Sequence, residues 1–339
     1  MESLARVRVA VVGDFCLDAY WTADMTRSEL SRETPHFTLP IVAEQYAPGG
    51  AGNVAVNAQA LGVARTGAFT VLGRDWRGML LRAALERGGL DPVGELIVEG
   101  WTTPCYIKPI RQGYASQQED ARLDFANYTA LGSRVEEELI AILKRSLDAF
   151  DVVLICDQLE HGVVTQDVRN TLIELARAHL NTPFIADSRT RIASFTDVAL
   201  KPNELELARA MGYSLAMDAR DTATIGHWGT ELSRQRHWPV YVTLGANGAL
   251  VCTGEDWRHV PAVRLDPPLD IVGAGDTFLA ALGSSLAAGA TPTEAAVIAN
   301  LAAAVTVKKI GQTGTATPAE ILASFERWTA TNSWSMKTG

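Results

Sequence analysis

The chain is poor in the residues that announce a metal centre, a disulfide framework or a membrane span. Its four cysteines, Cys16, Cys105, Cys156 and Cys252, stand far apart with no C-x-x-C pair, and the six histidines include no H-E-x-x-H or comparable ligand spacing. A zinc site and a disulfide scaffold are therefore not expected, and reduced, buried thiols are. No stretch of 18 apolar residues occurs and no signal-peptide core follows Met1 to Arg8, so the expected setting is the cytoplasm, with no membrane partner. Basic residues nowhere cluster in fives and the net charge is −9, which argues against nucleic acid or an anionic membrane surface as the main partner. A Walker A sequence, G-x-x-x-x-G-K-[ST], is also missing, so a nucleotide site would need another design. What is present is globular: 339 residues, 47% hydrophobic and 20% charged, enough for one large α/β domain or two ordinary ones.

Val7 to Val12 reads as a buried strand ending at Gly13-Asp14. That puts Asp14 at a strand's C-terminal edge, where open α/β sheets bind ligands, and Asp18 follows four residues later. Two carboxylates there suit sugar hydroxyls; turn chemistry is the alternative for Asp14. Residues from about Tyr20 to Tyr46 are polar, with a weak strand pattern at Phe37 to Val42. Pro48-Gly49-Gly50-Ala51-Gly52-Asn53 follows, and a helix beyond it sets Asn53 and Asn57 one turn apart on one face. Gly50-Ala51-Gly52-Asn53-Val54-Ala55 also fits the G-x-G-x-x-A of dinucleotide binding. A dinucleotide site needs a strand directly before its glycines, however, and Ala43 to Pro48 is a poor strand with proline at its end.

Ala68 to Gly73 reads as a strand and Met79 to Arg87 as a helix; Thr102 to Ile110 and Ala121 to Phe125 suggest two more strands. From Glu136 the alternation becomes regular: helix to Phe150, strand Val152 to Cys156, helix Thr165 to Leu180, strand Pro183 to Ala186, then Val198 to Lys201. Such a rhythm predicts a mostly parallel sheet wound on both faces. Val240 to Val251 reads as a β-hairpin, and Thr293 to Lys308 as an apolar helix containing Asn300.

The chain's centre of gravity is Asp270-Ile271-Val272-Gly273-Ala274-Gly275-Asp276-Thr277-Phe278, running into the small apolar stretch Leu279 to Gly289. Gly273 and Gly275 allow successive N–H groups to converge where a helix begins, and the helix dipole favours a phosphate or oxyanion there. Asp276 beside that point can accept a proton from a hydroxyl. A plain helix N-cap is its structural alternative.

This stretch resembles the signature of the ribokinase-like (PfkB) sugar kinases, and the other motifs follow in that family's order from residue 13 to about 314. The resemblance implies an α/β ribokinase-like fold over 1–339, a central mostly parallel sheet with helices on both faces, and a small β-sheet lid from segments near 15–46 and 101–126. It implies an ATP-dependent sugar kinase in which Asp276 is the catalytic base and Gly273, Ala274 and Gly275 form the anion hole. Gly49, Gly50 and Asn53 would hold the sugar together with Asp14 and Asp18. Lys201-Pro202-Asn203-Glu204-Leu205-Glu206 matches the family's N-x-x-E element, with Asn203 and Glu206 at the phosphate and Mg²⁺ site, Glu206 acting through water. Thr243, Gly245 and Gly248 match its T-x-G-x-x-G nucleotide loop, Asn300 would lie beside adenine, and Ile310 to Gly314 would close that side. A monovalent cation such as K⁺ beside Asp270 and a homodimer through the lid are further family expectations.

Within the family the chain is most similar to heptose-7-phosphate kinases. The residues concerned are Gly13-Asp14, Leu17-Asp18, Tyr20-Trp21, Pro48 to Ala55, Arg122-Leu123-Asp124-Phe125 and Lys309-Ile310-Gly311-Gln312 with Gly314. That implies transfer to O1 of a heptose 7-phosphate, with no second activity from a nucleotidyltransferase domain. Three departures stand out: Asp187-Ser188-Arg189 in place of Asp-Pro-Lys, Asp157 to Gly162 in place of Asp-Tyr-Ala-Lys-Gly, and Ile271 for threonine. Arg27, Arg32, Lys108 or Arg189 would then have to hold the sugar's phosphate. A ribokinase-, fructokinase- or ketodeoxygluconate-type kinase is the alternative. The rivals from other classes are a non-catalytic sugar- or nucleotide-binding regulator and a dinucleotide-dependent oxidoreductase.

Overall fold

The structure is a computed structural model that describes residues 2–213, 221–311 and 313–331. Gln312 of the closing loop, and the tail from residue 332, lie outside the described residues.

Two sheets organise the chain. The first β-strands in order are β1 (Arg8–Gly13), β2 (Phe15–Asp24), β3 (Ile41–Gly50), β4 (Arg65–Gly73), β5 (Asp91–Val98), β6 (Cys105–Gln112), β7 (Gln117–Glu119) and β8 (Leu123–Phe125). They are followed by β9 (Val152–Asp157), β10 (Phe184–Ser188), β11 (Ala199–Leu200), β12 (Val240–Thr243), β13 (Ala249–Cys252) and β14 (Trp257–Val260). The large sheet has nine strands in the order β14-β13-β12-β11-β10-β9-β1-β4-β5. Its pairings are parallel except β12 with β13 and β13 with β14 at one edge, which are antiparallel. The helices are α1 (Ala51–Ala60), α2 (Trp76–Arg87), α3 (Ser133–Ser146), α4 (Gln166–Ala178), α5 (Glu204–Ala210), α6 (Thr222–Arg236), α7 (Ala274–Ala287), α8 (Pro292–Thr306) and α9 (Pro318–Thr331).

A sheet covered on both faces needs strands with continuous apolar runs, and β1 (Val9 to Val12) and β9 (Val152 to Cys156) have them. In β1, Val9 and Val11 join a core with α1, α7 and α8, while Ala10 and Val12 join a second core with Leu139, Leu143 and Leu172 of α3 and α4. The alternating parity of one strand thus feeds both layers. No helix among the described residues is long and apolar enough to cross a membrane.

The second sheet has the order β3-β2-β6-β7, with β8 paired to β6. Residues directly opposite one another share a face. Leu17, Ala19, Cys105 and Ile107 therefore share one face and are buried in the core, while Asp18, Tyr20, Tyr106 and Lys108 share the other. This smaller sheet is built from the segments expected to form the lid, and its polar side is the one that carries Asp18.

Several sequence expectations change here. Ala43 to Pro48 is a strand after all: it belongs to β3, an edge strand, where Pro48 leaves no ladder bond unmade. The dinucleotide reading fails instead because β3 is an antiparallel lid strand rather than a parallel strand leading into α1. The edge strands β5 and β7 were not foreseen from the sequence. Trp328 is buried in α9 with 2% exposure.

Candidate active site

α7 begins where Gly273 turns left-handed at φ +77°, a conformation open to glycine without penalty. Gly273 is the N-cap, so Asp276 stands one turn inside α7 and is not the cap. Of the three amides expected to form the anion hole, that of Ala274 is engaged in this conformation, donating to Ile271 O at 3.2 Å. Those of Gly273, Gly275 and Asp276 have no acceptor among the described residues and form the open end of the helix dipole.

The Asp276 carboxylate is held by a chain of side chains. Thr277 Oγ1 donates to Asn57 Oδ1 (3.1 Å), Asn57 Nδ2 donates to Asn53 Oδ1 (2.9 Å), and Asn53 Nδ2 donates to Asp276 Oδ2 (2.8 Å). Because Asn53 Oδ1 already accepts, its amide group must face the carboxylate with its N–H. Helix α1 supplies both asparagines one turn apart, and α7 supplies both ends of the chain. Burial pushes the Asp276 pKa up to about 7; the Asn53 hydrogen bond lowers it, Asp187 raises it and Lys201 lowers it. A base with that pKa is half ionised near neutral pH and still basic enough to take a proton.

Lys201 and Asp187 are functional candidates that the motif reading did not single out. Lys201 is 4% exposed at the end of β11, and its Nζ lies 3.0 Å from Asp187 Oδ2 and 3.8 Å from where a Cβ on Gly275 would sit. Burial alone would lower the Lys201 pKa, but Asp187, Glu206 and Asp276 outweigh it and raise it. A permanent buried cation therefore lies beneath the glycine cradle. The signal in the sequence was a lysine closing an apolar strand, where burial demands a carboxylate partner.

Asp18 lies on the lid above this point, 8% exposed, and a Cβ on Gly49 would come within 2.7 Å of its carboxylate. Burial raises its pKa to about 6 against the opposing pull of Lys108 and Arg122. Asp14 is placed differently. Its carboxylate accepts from the backbone N–H groups of Gln158 and Leu159 (both 2.8 Å) and Val163 (2.7 Å), with 1% exposure. In this conformation it fastens the loop after β9, the turn chemistry that was the alternative for it. The residues that depart from the family pattern next to it are also internally engaged: Asp157 accepts from Ser188 Oγ (2.7 Å) and pairs with Arg191.

Among the residues expected to meet the nucleotide, Asn203 caps α5 and forms a capping box with Glu206: Asn203 Oδ1 accepts from Glu206 N–H (2.9 Å) and Glu206 Oε2 accepts from Asn203 N–H (2.8 Å). Burial, then the neighbouring Asp187, raises the Glu206 pKa. Thr243 ends β12 beside Asn203, and its amide donates to Pro202 O at 3.0 Å. Gly245 has open space where a side chain would be, whereas Gly248 packs against Val260 O. Asn300 donates to Val260 O (3.0 Å) and Pro261 O (3.4 Å), so it is a satisfied polar residue that ties α8 to the end of β14. Asp270 accepts from Val272 N–H and Gly311 N–H, both at 3.0 Å, joining the loop before α7 to the one after α8.

Comparison with known proteins places these features in a lineage. Residues 8–320 match the family model described as pfkB family carbohydrate kinase. The chain is 34% identical over 333 residues to the bifunctional protein HldE of Trichlorobacter lovleyi, covering 95% of this chain and 64% of that protein. HldE of Geobacter metallireducens is 32% identical over 325 residues, covering 94% and 63%. The chain thus spans under two thirds of the length of these relatives. In fold it is similar to phosphofructokinase-2 from Escherichia coli in complex with potassium (TM-score 0.71, 19% identity, 96% of this chain and 99% of that one). Arabidopsis thaliana ribokinase complexed with ribose and ATP is similar too (TM-score 0.68, 21% identity, 95% and 99%).

Proposed function

The chain belongs to the pfkB family of carbohydrate kinases, and from that premise we propose that it transfers the γ-phosphoryl group of ATP to a sugar hydroxyl with Asp276 as general base. The observation that carries this assignment is the Asp276 carboxylate, with a pKa near 7, beside the unpaired amides at the start of α7. Asn53 holds one carboxylate oxygen and leaves the other to accept the acceptor's proton. The amides of Gly273, Gly275 and Asp276, with Lys201 below them, face the charge that builds on the phosphoryl oxygens. The lid excludes the water that would otherwise compete for the phosphoryl group.

No three His, Cys, Asp or Glu side chains gather into a metal cage among the described residues. That suits Mg²⁺, which keeps several waters and binds substrate phosphates more readily than protein cages, with Glu206 and Asp187 as holders of its waters. Mg²⁺ would supply neutralisation of the nucleotide's phosphate charge. K⁺ beside Asp270 fits the lone pairs that its two amide bonds leave free. Asn203, Thr243, Gly245, Gly248 and Asn300 are proposed to frame ATP, and Gly49, Gly50, Asn53 and Asp18 the sugar, with Asp14 holding the loop beneath.

The acceptor we favour is a heptose 7-phosphate, phosphorylated at O1. The motifs shared with heptose-7-phosphate kinases and the identity to HldE proteins support it. A neutral sugar is the second reading, favoured by the engagement of Asp157 and Ser188 with Arg191 in place of a free lysine. Leu30, Phe37 and Val42, at 59%, 68% and 54% exposure on the lid hairpin, support a homodimer formed through it in the cytoplasm. ADP release with Mg·ATP across heptose 7-phosphate, ribose, fructose and 2-keto-3-deoxygluconate tests the assignment. Asp276→Asn should lose about 10²–10⁴ in rate while keeping most of its substrate affinity; a variant that retained most of its kcat would refute the base.

A further inference from the structure

The polar face of the lid carries a cation that the mechanism above does not use. Lys108 on β6 pairs in register with Tyr20 on β2, and its Nζ lies 5.0 Å from the Tyr20 ring centroid. Among the described residues Lys108 forms no ion pair. The Tyr20 hydroxyl faces Lys108 and Thr313, and the hydroxyls of both Tyr20 and Thr313 are buried with no hydrogen-bond partner among the described residues. Tyr20 itself is 8% exposed. Thr313 in turn borders the cradle at the start of α7: its Cγ2 would lie 3.3 Å from a Cβ on Gly273. Two buried hydroxyls without a well-formed hydrogen bond, beside an ammonium that Asp18 attracts without pairing, are costly unless a ligand oxygen completes them.

We propose that Lys108, Tyr20 and Thr313 form a lid-borne anion subsite that receives a phosphate group at the rim of the Gly273 cradle. An ammonium and two hydroxyls are the donors a phosphoryl dianion needs. The subsite links the lid to the open helix end through the ligand itself, so phosphate occupancy draws the two together. This inference rests on the kinase reading, and the group in question is either the terminal phosphate of ATP or a phosphate already on the acceptor.

The test measures Lys108→Met, Lys108→Arg and Tyr20→Phe against the unaltered chain, with thermal melting to confirm folding. Calorimetry gives the affinity ratio of AMP-PNP to ADP; kinetics give the KM ratio of heptose 7-phosphate to unphosphorylated heptose. For a charge-assisted contact, Lys108→Met should erode one of these ratios by roughly 10–100-fold. Lys108→Arg should restore most of it, and Tyr20→Phe should cause a smaller loss. Loss confined to the nucleotide ratio assigns the subsite to the terminal phosphate, and loss confined to the sugar ratio assigns it to the acceptor. Both ratios unchanged in a folded Lys108→Met would overturn the subsite. The nucleotide arm needs no turnover, so a chain that phosphorylated no sugar would sink the kinase reading while still reading out the subsite.

Discussion

Asn53→Ala tests the electrostatic core of the site more sharply than removal of the base. The 2.8 Å bond from Asn53 Nδ2 is the side-chain hydrogen bond that holds the Asp276 carboxylate, and it favours the ionised form. A hydrogen bond to a charged group contributes roughly 1.5–3 kcal/mol, and one pKa unit corresponds to about 1.4 kcal/mol. Its loss should therefore raise the Asp276 pKa from about 7 by roughly one to two units. A general base works deprotonated, so on the role proposed for Asp276 activity should fall as pH drops through the pKa. In the unaltered chain the acid limb of kcat/KM should lie near pH 7; in Asn53→Ala it should move to about 8–9, with activity at pH 7 down about 5–50-fold and partly recovered in alkali. The assay is a kcat/KM profile from pH 5.5 to 9.5 at saturating Mg·ATP. If Asn53 served only to hold the sugar, its removal would lower the whole profile without moving it. An acid limb still at pH 7 in the variant would refute the role given to Asn53.

Three other outcomes follow from the same geometry. Lys201→Met leaves Asp187 buried and unpaired, and should cost about 3–5 kcal/mol in chemical denaturation, with much of the loss recovered in Lys201→Met/Asp187→Asn. Gly273→Ala places a Cβ 2.5 Å from Asn53 Nδ2 in a left-handed conformation; about 1–2 kcal/mol of stability should go, with activity falling far more because Asn53 is displaced from the base. Asp18 has its pKa raised to about 6, so its protonation favours the folded state at low pH and that stabilisation is lost as pH rises through 6. Asp18→Asn should then be more stable than the parent at pH 8, by about 1–3 kcal/mol, and no different near pH 4, as read from denaturant midpoints.

Much of this was legible because apolar strands and small-residue helices leave few alternatives. Val7 to Val12, Val152 to Cys156 and the Gly-Ala-Gly-Asp helix start are where the sequence places them, since a doubly covered sheet tolerates only such runs. The lid was harder. Ala43 to Pro48 alternates little and ends in proline, and only the knowledge that β3 is an edge strand makes that acceptable. β5 hides behind Pro92 and Gly94 for the same reason: it too lies at a sheet edge. In the site, Asp276 and Asn53 could be named because a motif marks them. Lys201, Asp187 and the buried pair Tyr20 and Thr313 could not, because their meaning depends on strands far apart in sequence meeting at one point. Asp14 shows the converse: strand-end position marked it, but three amides from the 158–163 loop, invisible in the sequence, claim its carboxylate.

The lid hairpin also enters and leaves the body at a single place. Only Asp14 separates β1 from β2, β3 runs into α1 without a linker, and Ala51 N–H donates to Asp14 O at 3.0 Å. The two crossings are thus riveted together, and the rivet is itself clamped by the loop after β9. Residues 15–50 form a cassette with adjoining sockets at both ends, so a relative's hairpin of different length could be grafted between Asp14 and Ala51 without re-threading the parallel sheet. On the proposed roles, the contacts from Asp18, Gly49 and Gly50 would change with the cassette, while Asp276 and its bond from Asn53, both outside it, would stay.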